Sequence, residues 1–255
     1  MYKKLVKYTF TLGILALCGC AATPHSENTS ALEKYNRTMF TINDKIDKAV
    51  IRPVAKGYRA ITNKFVRQRV TNFFNNLHEP ISAGNHILQG EFHDSAQNVG
   101  RFMINTVVGA AGLFDVASRV GLEQKKTGFD ETLSSWCVPD GPYIVLPLMG
   151  PSTPRAATGF VVDGYSSPTY WIIEEKGDDK AMYAYYAAGG FKYLNTLAET
   201  LPLLESLEES SVDYYEAMKS SYLQNRSKLK RCSYKPTVET APNYDFDMDD
   251  EEFDD

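Results

Sequence analysis

The chain is poor in the residue patterns that most enzymes need. Histidine occurs four times in 255 residues. His25 lies in a polar stretch near the N-terminus, and His78 stands beside Glu79 just before Pro80, a dipeptide with no catalytic geometry of its own. His86 and His93 are seven apart and share a helix face, but no second ligand pair stands at metal spacing, so both are read as structural and no metal site is expected. The sequence holds no G-x-S-x-G elbow and no G-x-G-x-x-G or P-loop. A common lipase, a dinucleotide enzyme and a nucleotide hydrolase are therefore unsupported; the chain reads as a non-enzyme without cofactors. Basic residues are missing from Glu239 to Asp255, where nine are acidic. Residues 233–255 have too little apolar surface to offset ordering entropy, and read as a disordered tail. Charge is missing from Phe102 to Phe114, thirteen residues bracketed by Arg101 and Asp115. That run is short of the about 20 apolar residues a spanning helix requires. Gly109 and Gly112 each cost a helix interior about 1 kcal/mol relative to Ala. The run is either a buried core segment or a hairpin that dips into one leaflet.

What is present at the N-terminus sets the compartment. Lys3, Lys4 and Lys7 form a positive region and Tyr8 to Leu17 an apolar one, as in a signal peptide. Leu17 and Gly19 stand three and one residues before Cys20, the spacing of a bacterial lipobox. Residues 1–19 are read as a lipoprotein signal, Cys20 as the lipid anchor, and residues 20–30 as a polar tether; an ordinary secreted signal is the alternative. Ala21 after the anchor points to the outer membrane. Cys137 and Cys232 remain, either bridged in an oxidising compartment or two separate thiols. A bridge closing so long a loop is worth up to about 4–5 kcal/mol in the chain-entropy model.

The body, residues 31–232, reads as one helical domain. Leu32, Tyr35, Met39, Ile42, Ile46 and Ala49 share one helix face. Pro53 opens a second helix, where its missing N–H is harmless. A third uses Val66, Val70, Phe73, Phe74 and Leu77 and is expected to stop before Pro80; a fourth covers residues 85–106. Trp136 to Pro154 carries five prolines around Tyr143-Ile144-Val145-Leu146, which predicts an extended apolar loop. Further helical patterns cover residues 183–188, 191–207 and 212–229. From Lys34 to Arg69 there are ten basic and two acidic residues. Nucleic acid is no partner for an exported lipoprotein; lipid phosphates at a membrane surface are, and a solvated helix face is the plainer alternative. Amphipathic helices of this kind can also lie in a membrane interface, although core and lipid look equally apolar in sequence.

Six stretches stand out in order along the chain: Leu32 to Phe40, Arg52 to Ala55, Asn72 to Pro80, Leu88-Gln89-Gly90, Arg101 to Ala117, and Gly141-Pro142-Tyr143 with Leu146-Pro147. In these the chain resembles the MlaA/VacJ family of outer-membrane lipoproteins. The resemblance implies an all-α fold, a ring-like arrangement of amphipathic helices with Gly/Pro-rich apolar loops, embedded in one leaflet of the outer membrane. It implies removal of mislocalised phospholipid from the outer leaflet through a central channel, delivery to a periplasmic carrier, and association with a trimeric porin. A lipoprotein that scaffolds porins or envelope machinery without moving lipid is the alternative. A channel passing a charged headgroup calls for polar lining, for which Asn36, Arg37, Asn43, Lys45, Asn105 and Asp115 are the candidates. The family's loop before Gly-Pro-Tyr is glycine-rich and thought to hinge. Here it reads Ser135 to Asp140, and Cys137, Pro139 and Gly141 mark a stiffer version, or one gated by a Cys137–Cys232 bridge. On this reading the Phe102 to Phe114 stretch is a membrane-embedded hairpin beside the channel.

Overall fold

The periodicity of Leu32, Tyr35, Met39 and Ile42 produces helix α1, Ser26–Ile46, in a computed structural model that describes residues 26–176 and 179–229. Residues 1–19, Cys20, Cys232 and the acidic tail 233–255 lie outside the described residues. The first turn of α1 takes in residues that the sequence assigns to the tether. A single π-helical turn, Asp47–Ile51, joins α1 to α2, Arg52–Ile61, with Pro53 at its start. Asn63 caps α3, Lys64–Leu88, by accepting from the Val66 N–H at 2.9 Å. Here the structure corrects the sequence reading: α3 runs straight through Pro80. A proline removes one helical hydrogen bond, here the one to the Asn76 carbonyl, and α3 continues on both sides of it. The expected helix over 85–106 is likewise divided. α3 ends in a Schellman turn, with Glu91 N–H to His86 O at 2.8 Å and Gly90 N–H to Ile87 O at 3.0 Å, and α4 then covers Phe92–Val107.

The uncharged stretch 102–114 is no hairpin of paired arms. It is the last part of α4 followed by a tight turn in which Ala110, Ala111 and Gly112 have φ of 52°, 57° and 89°. Two consecutive alanines in the left-handed region carry a cost of about 1–2 kcal/mol each. Gly112 is required by contact as well as by φ, since a Cβ there would lie 2.5 Å from the Cβ of Asn76.

A short 3-10 turn, Ala117–Val120, leads to α5, Phe129–Ser135. The proline-rich segment expected to be a loop contains a small antiparallel hairpin, β1 Ile144–Leu146 with β2 Gly150–Ser152, in the register Val145 opposite Pro151. α6, Pro154–Ser166, and α7, Pro168–Lys176, follow. The patterns expected over 183–188 and 191–207 merge into one helix, α8, Asp179–Ser210, and α9 is Tyr214–Ser227. Among the described residues no helix is long and apolar enough to cross a membrane.

The hairpin is docked on α1 by two asparagines. Asn36 donates to Tyr143 O at 2.9 Å and accepts from Val145 N–H at 2.8 Å. Asn43 donates to Leu146 O at 2.8 Å and accepts from Leu148 N–H at 2.8 Å. Asn36 and Asn43 are seven residues, about 10.5 Å, apart along α1, so one helix face reaches both β1 and the turn residue Leu148 that follows it. The helix face substitutes for a third strand. Replacing Asn36 by Ala strands the N–H of Val145, a residue 0% exposed, and is expected to lower unfolding free energy by about 1–3 kcal/mol. Urea unfolding of the variant checks this, and an unchanged midpoint would count against the clamp.

A buried polar network as the candidate functional site

Among the described residues the usual distribution of polarity is reversed. Ten hydrophobic residues are buried, four of them alanines, three tyrosines, two leucines and Val145, while twenty-one polar or charged residues are buried. Thirty-two large hydrophobic residues are exposed, among them Ile61, Phe65, Phe92, Met103, Val107 and Val108. Exposed single apolar residues are ordinary, but many buried polar ones are not. On α3 the inward stripe is Asn76, Glu79, Ala83 and His86, and on α4 it is Asn98, Arg101 and Asn105. The spacing is helical in both, with amides and charges where a water-soluble fold would place Leu and Ile.

Glu79 and Arg101, each with a side chain only 2% exposed, form the centre, with Nε to Oε1 at 2.8 Å. Asn98 donates to the second oxygen of Glu79 at 2.6 Å, and Gln124 donates to the first at 3.1 Å. Arg101 also reaches Ser118 Oγ at 3.0 Å, the Leu122 carbonyl and Asp115 at 3.2 Å. Asp115 accepts from Asn105 at 3.1 Å and from the Ser118 hydroxyl at 2.6 Å. Burial alone would raise the Asp115 carboxyl, but the Ser118 and Asn105 hydrogen bonds and the Arg101 charge outweigh it and hold it below the usual range. Beside this network lies a cavity of about 120 Å³ lined by Gln68, Asn72, Asn75 and Asn76 from α3, and by Arg101, Asn105, Asp115 and Gln124. Its walls offer amide donors and acceptors with one arginine already neutralised by carboxylates, and the buried Oδ1 of Asn76 accepts from no described group. Such a lining suits a polar, strongly hydrated group rather than an acyl chain.

The residues singled out in the sequence separate into four places. Asn105 and Asp115 are in this network. Asn36 and Asn43 spend their amides on the hairpin. Arg37 lies on the surface, paired with Glu33 at 3.1 Å, Asp213 at 2.9 Å and Glu216 at 2.5 Å, and 4.5 Å above the Tyr215 ring. Lys45 is exposed on α1. Cys137, Pro139 and Gly141 belong to a loop held by charge. Arg155 pairs with Asp130 at 2.9 Å and with Asp140, and donates to Val138 O at 2.7 Å. Arg226 pairs with Asp130 at 2.5 Å and Asp140 at 2.6 Å. Cys137 is disulfide-bonded and in the left-handed region at φ 63°; Cys232 lies outside the described residues. Residues missed in the sequence include Glu79, Asn76 and Asn98. His86, Glu91 and Asp94 also gather, with ligand atoms within 4.8 Å of one another. His86 Nδ1 lies 2.7 Å from Glu91, and the cation on Asp94 is the Lys125 ammonium at 2.6 Å. The signal for Asn76, Glu79 and Asn98 was a polar stripe at helical spacing.

Replacing Arg101 by Met leaves Glu79 buried without its countercharge and is expected to cost about 3–5 kcal/mol of stability; chemical unfolding measures it. A second expectation concerns pH. His78 Nδ1 lies 3.0 Å from the Ser82 hydroxyl, which itself donates to Thr127 O. Burial, with Lys126 and Lys192 adding repulsion, pushes the imidazole down to about 4. The unfolded chain takes up that proton near pH 6.5, so the histidine's contribution is complete above that pH and lost as pH falls toward 4. His78→Asn should flatten the decline in thermal midpoint between pH 7 and 4.5; an unaltered slope would refute it.

A family model described as MlaA lipoprotein matches residues 29–229. The intermembrane phospholipid transport system lipoprotein MlaA of Haemophilus influenzae is 35% identical over 225 residues, covering 85% of this chain and 87% of that protein. The protein of the same name in Escherichia coli is 34% identical, covering 66% and 70%. An uncharacterised Rickettsia typhi protein is 34% identical, covering 76% and 75%. A chain solved in work on the structural basis for maintenance of bacterial outer membrane lipid asymmetry superposes with a TM-score of 0.63 at 30% identity, covering 78% of this chain and 98% of that one.

Proposed function

The chain belongs to the MlaA lipoprotein family, and from that premise we propose that it is the outer-membrane lipoprotein of an intermembrane phospholipid transport system. In this reading it is anchored through Cys20, sits in the inner leaflet of the outer membrane, and takes mislocalised phospholipid from the outer leaflet. The lipid passes through a polar channel at the centre of a ring of helices to a periplasmic carrier, and a trimeric porin holds the ring in place.

The observation that carries the reading is the reversed polarity of the fold. Apolar side chains on α2, α3 and α4 face outward, which costs free energy against water and gains it against acyl chains. In this reading the buried amides and charges of α3 and α4, with the cavity of about 120 Å³ beside them, offer a passing headgroup hydrogen-bond partners. Loops at membrane depth are tolerated when protein or a cavity satisfies their backbone, and the 108–113 turn meets that condition: Gly112 N–H reaches Asn105 O at 2.8 Å and Ala111 N–H reaches Thr106 O at 3.0 Å. The loop around Cys137 acts as a stiff gate beside the path, fixed by Arg155, Arg226 and the disulfide.

Deleting the gene should raise outer-leaflet phospholipid, measured by the access of an added phospholipase, and the wild-type chain should reverse the rise. Asn72→Phe, which fills the cavity wall, should restore little of it while the protein still reaches the outer membrane. A scaffold that moves no lipid predicts instead that Asn72→Phe complements fully. Unchanged outer-leaflet phospholipid in the deletion strain would end the transport reading.

A further inference from the structure

Ten basic residues between Lys34 and Arg69 were read together as a basic stretch, but the fold separates them. Arg37, Lys48, Arg52, Lys56 and Arg67 have carboxylate partners, several from α8 through Glu199, Glu205 and Glu208. Arg69 does not. Among the described residues the buried arginines 52, 67, 101, 155 and 226 each carry an ion pair. Arg69 is partly buried on α3, has no carboxylate within reach, and its buried Nε donates to nothing described.

Its surroundings are apolar and exposed. The guanidinium carbon lies 4.8 Å from the ring centroid of Phe65 and 4.8 Å from that of Phe114, in the notch between two rings tilted by 59°. Both rings are exposed, Phe65 by 59%. The notch also adjoins the polar cavity. Gln68 and Asn72, neighbours of Arg69 on α3, line that cavity, and Asn72 donates to the carbonyl of Leu113, the residue before Phe114, at 3.2 Å. A guanidinium so placed is desolvated on two faces and keeps its planar fork free. That fork matches the oxygens of a phosphate, to which arginine donates two parallel hydrogen bonds.

We propose that Arg69 is the residue that receives the phosphate of a phospholipid at the lip of the polar cavity, its acyl chains lying along Phe65, Phe114 and their apolar neighbours. The inference rests on the phospholipid-transport reading and adds to it the contact where the lipid is first held. A lipid so placed has its phosphate at the boundary between the exposed rings and the amide-lined interior. Cation–π contact keeps the guanidinium oriented when no lipid is present.

The test uses the full chain in mild detergent and calorimetric titration with dihexanoyl phosphatidylglycerol below its micelle concentration, and with inorganic phosphate. Wild type should bind the lipid, and Arg69→Met, which keeps the apolar stem, should bind it about tenfold or more weakly, the loss typical of a charged hydrogen bond. Arg69→Lys should fall between the two; it also carries the test if the Met variant does not fold. Lipid binding by Arg69→Met equal to wild type, with binding lost in Asn72→Phe, overturns the role of Arg69 and leaves the transport reading standing. Inorganic phosphate binding as tightly as the lipid and displacing it overturns the lipid assignment. No lipid binding by wild type overturns both.

Discussion

Everything central in this fold depends on the pairing of Glu79 with Arg101 inside a helix pair. Both side chains are almost completely removed from solvent, and taking a single charge out of water costs several kcal/mol even after relaxation. Neither residue is tolerable there without the other. The pair therefore fixes the rotation of α3 against α4, because only one rotation brings both stripes face to face. Asn98, Gln124, Ser118 and the Leu122 carbonyl then saturate the remaining donors and acceptors. A well-packed apolar interface of the same volume would be as stable or more so. Retaining charge here has to be explained by what the interior touches, and a polar cavity next to the pair supplies that explanation.

Many apolar residues face outward, and this is where sequence reasoning was least able to see. Period was legible: α1, the start of α2 at Pro53 and the helical patterns of α8 and α9 all follow from it. Phase was not. Phe92, Val99 and Met103 recur on one side of α4 and are exposed by 69%, 47% and 61%. Assigning an apolar stripe to the inside is the default for a surface helix, and α4 does not follow it. Pro80 misled for a related reason: it normally ends a helix in water, whereas in α3 the turn around it is packed against polar neighbours and the helix continues. Cys137, Pro139 and Gly141 were read as a stiffer, or bridge-gated, version of the family's loop. The ion pairs that hold it come from Asp130, Arg155 and Arg226, spread over 97 positions of sequence from first to last, a distance no local pattern reports.

The asparagines illustrate the same limit on single-residue reasoning. Asn36, Asn43 and Asn105 were grouped as polar candidates for one site, and the fold gives them two different tasks. Asn36 and Asn43, seven apart on one face of α1, bond the backbone of β1 and of the turn after it. Asn105 bonds Asp115 and the Ala117 N–H, and so closes the turn that follows α4. An amide can satisfy a peptide group or a ligand equally well, and only the partner tells which.

The turn after α4 shows how these parts depend on one another. Its left-handed alanines are strained, and strain of this kind persists only where surrounding structure over-determines it. Gly112 rests against Asn76, Asn105 holds the Ala117 N–H, and Asn72 takes the Leu113 carbonyl. All three asparagines also line the polar cavity. The same amides that form the interior therefore set the position of Phe114, and Phe114 with Phe65 sets the notch that holds Arg69. A change inside the cavity is thus transmitted to the apolar rim through one short turn, and the unpaired guanidinium sits where the two environments meet.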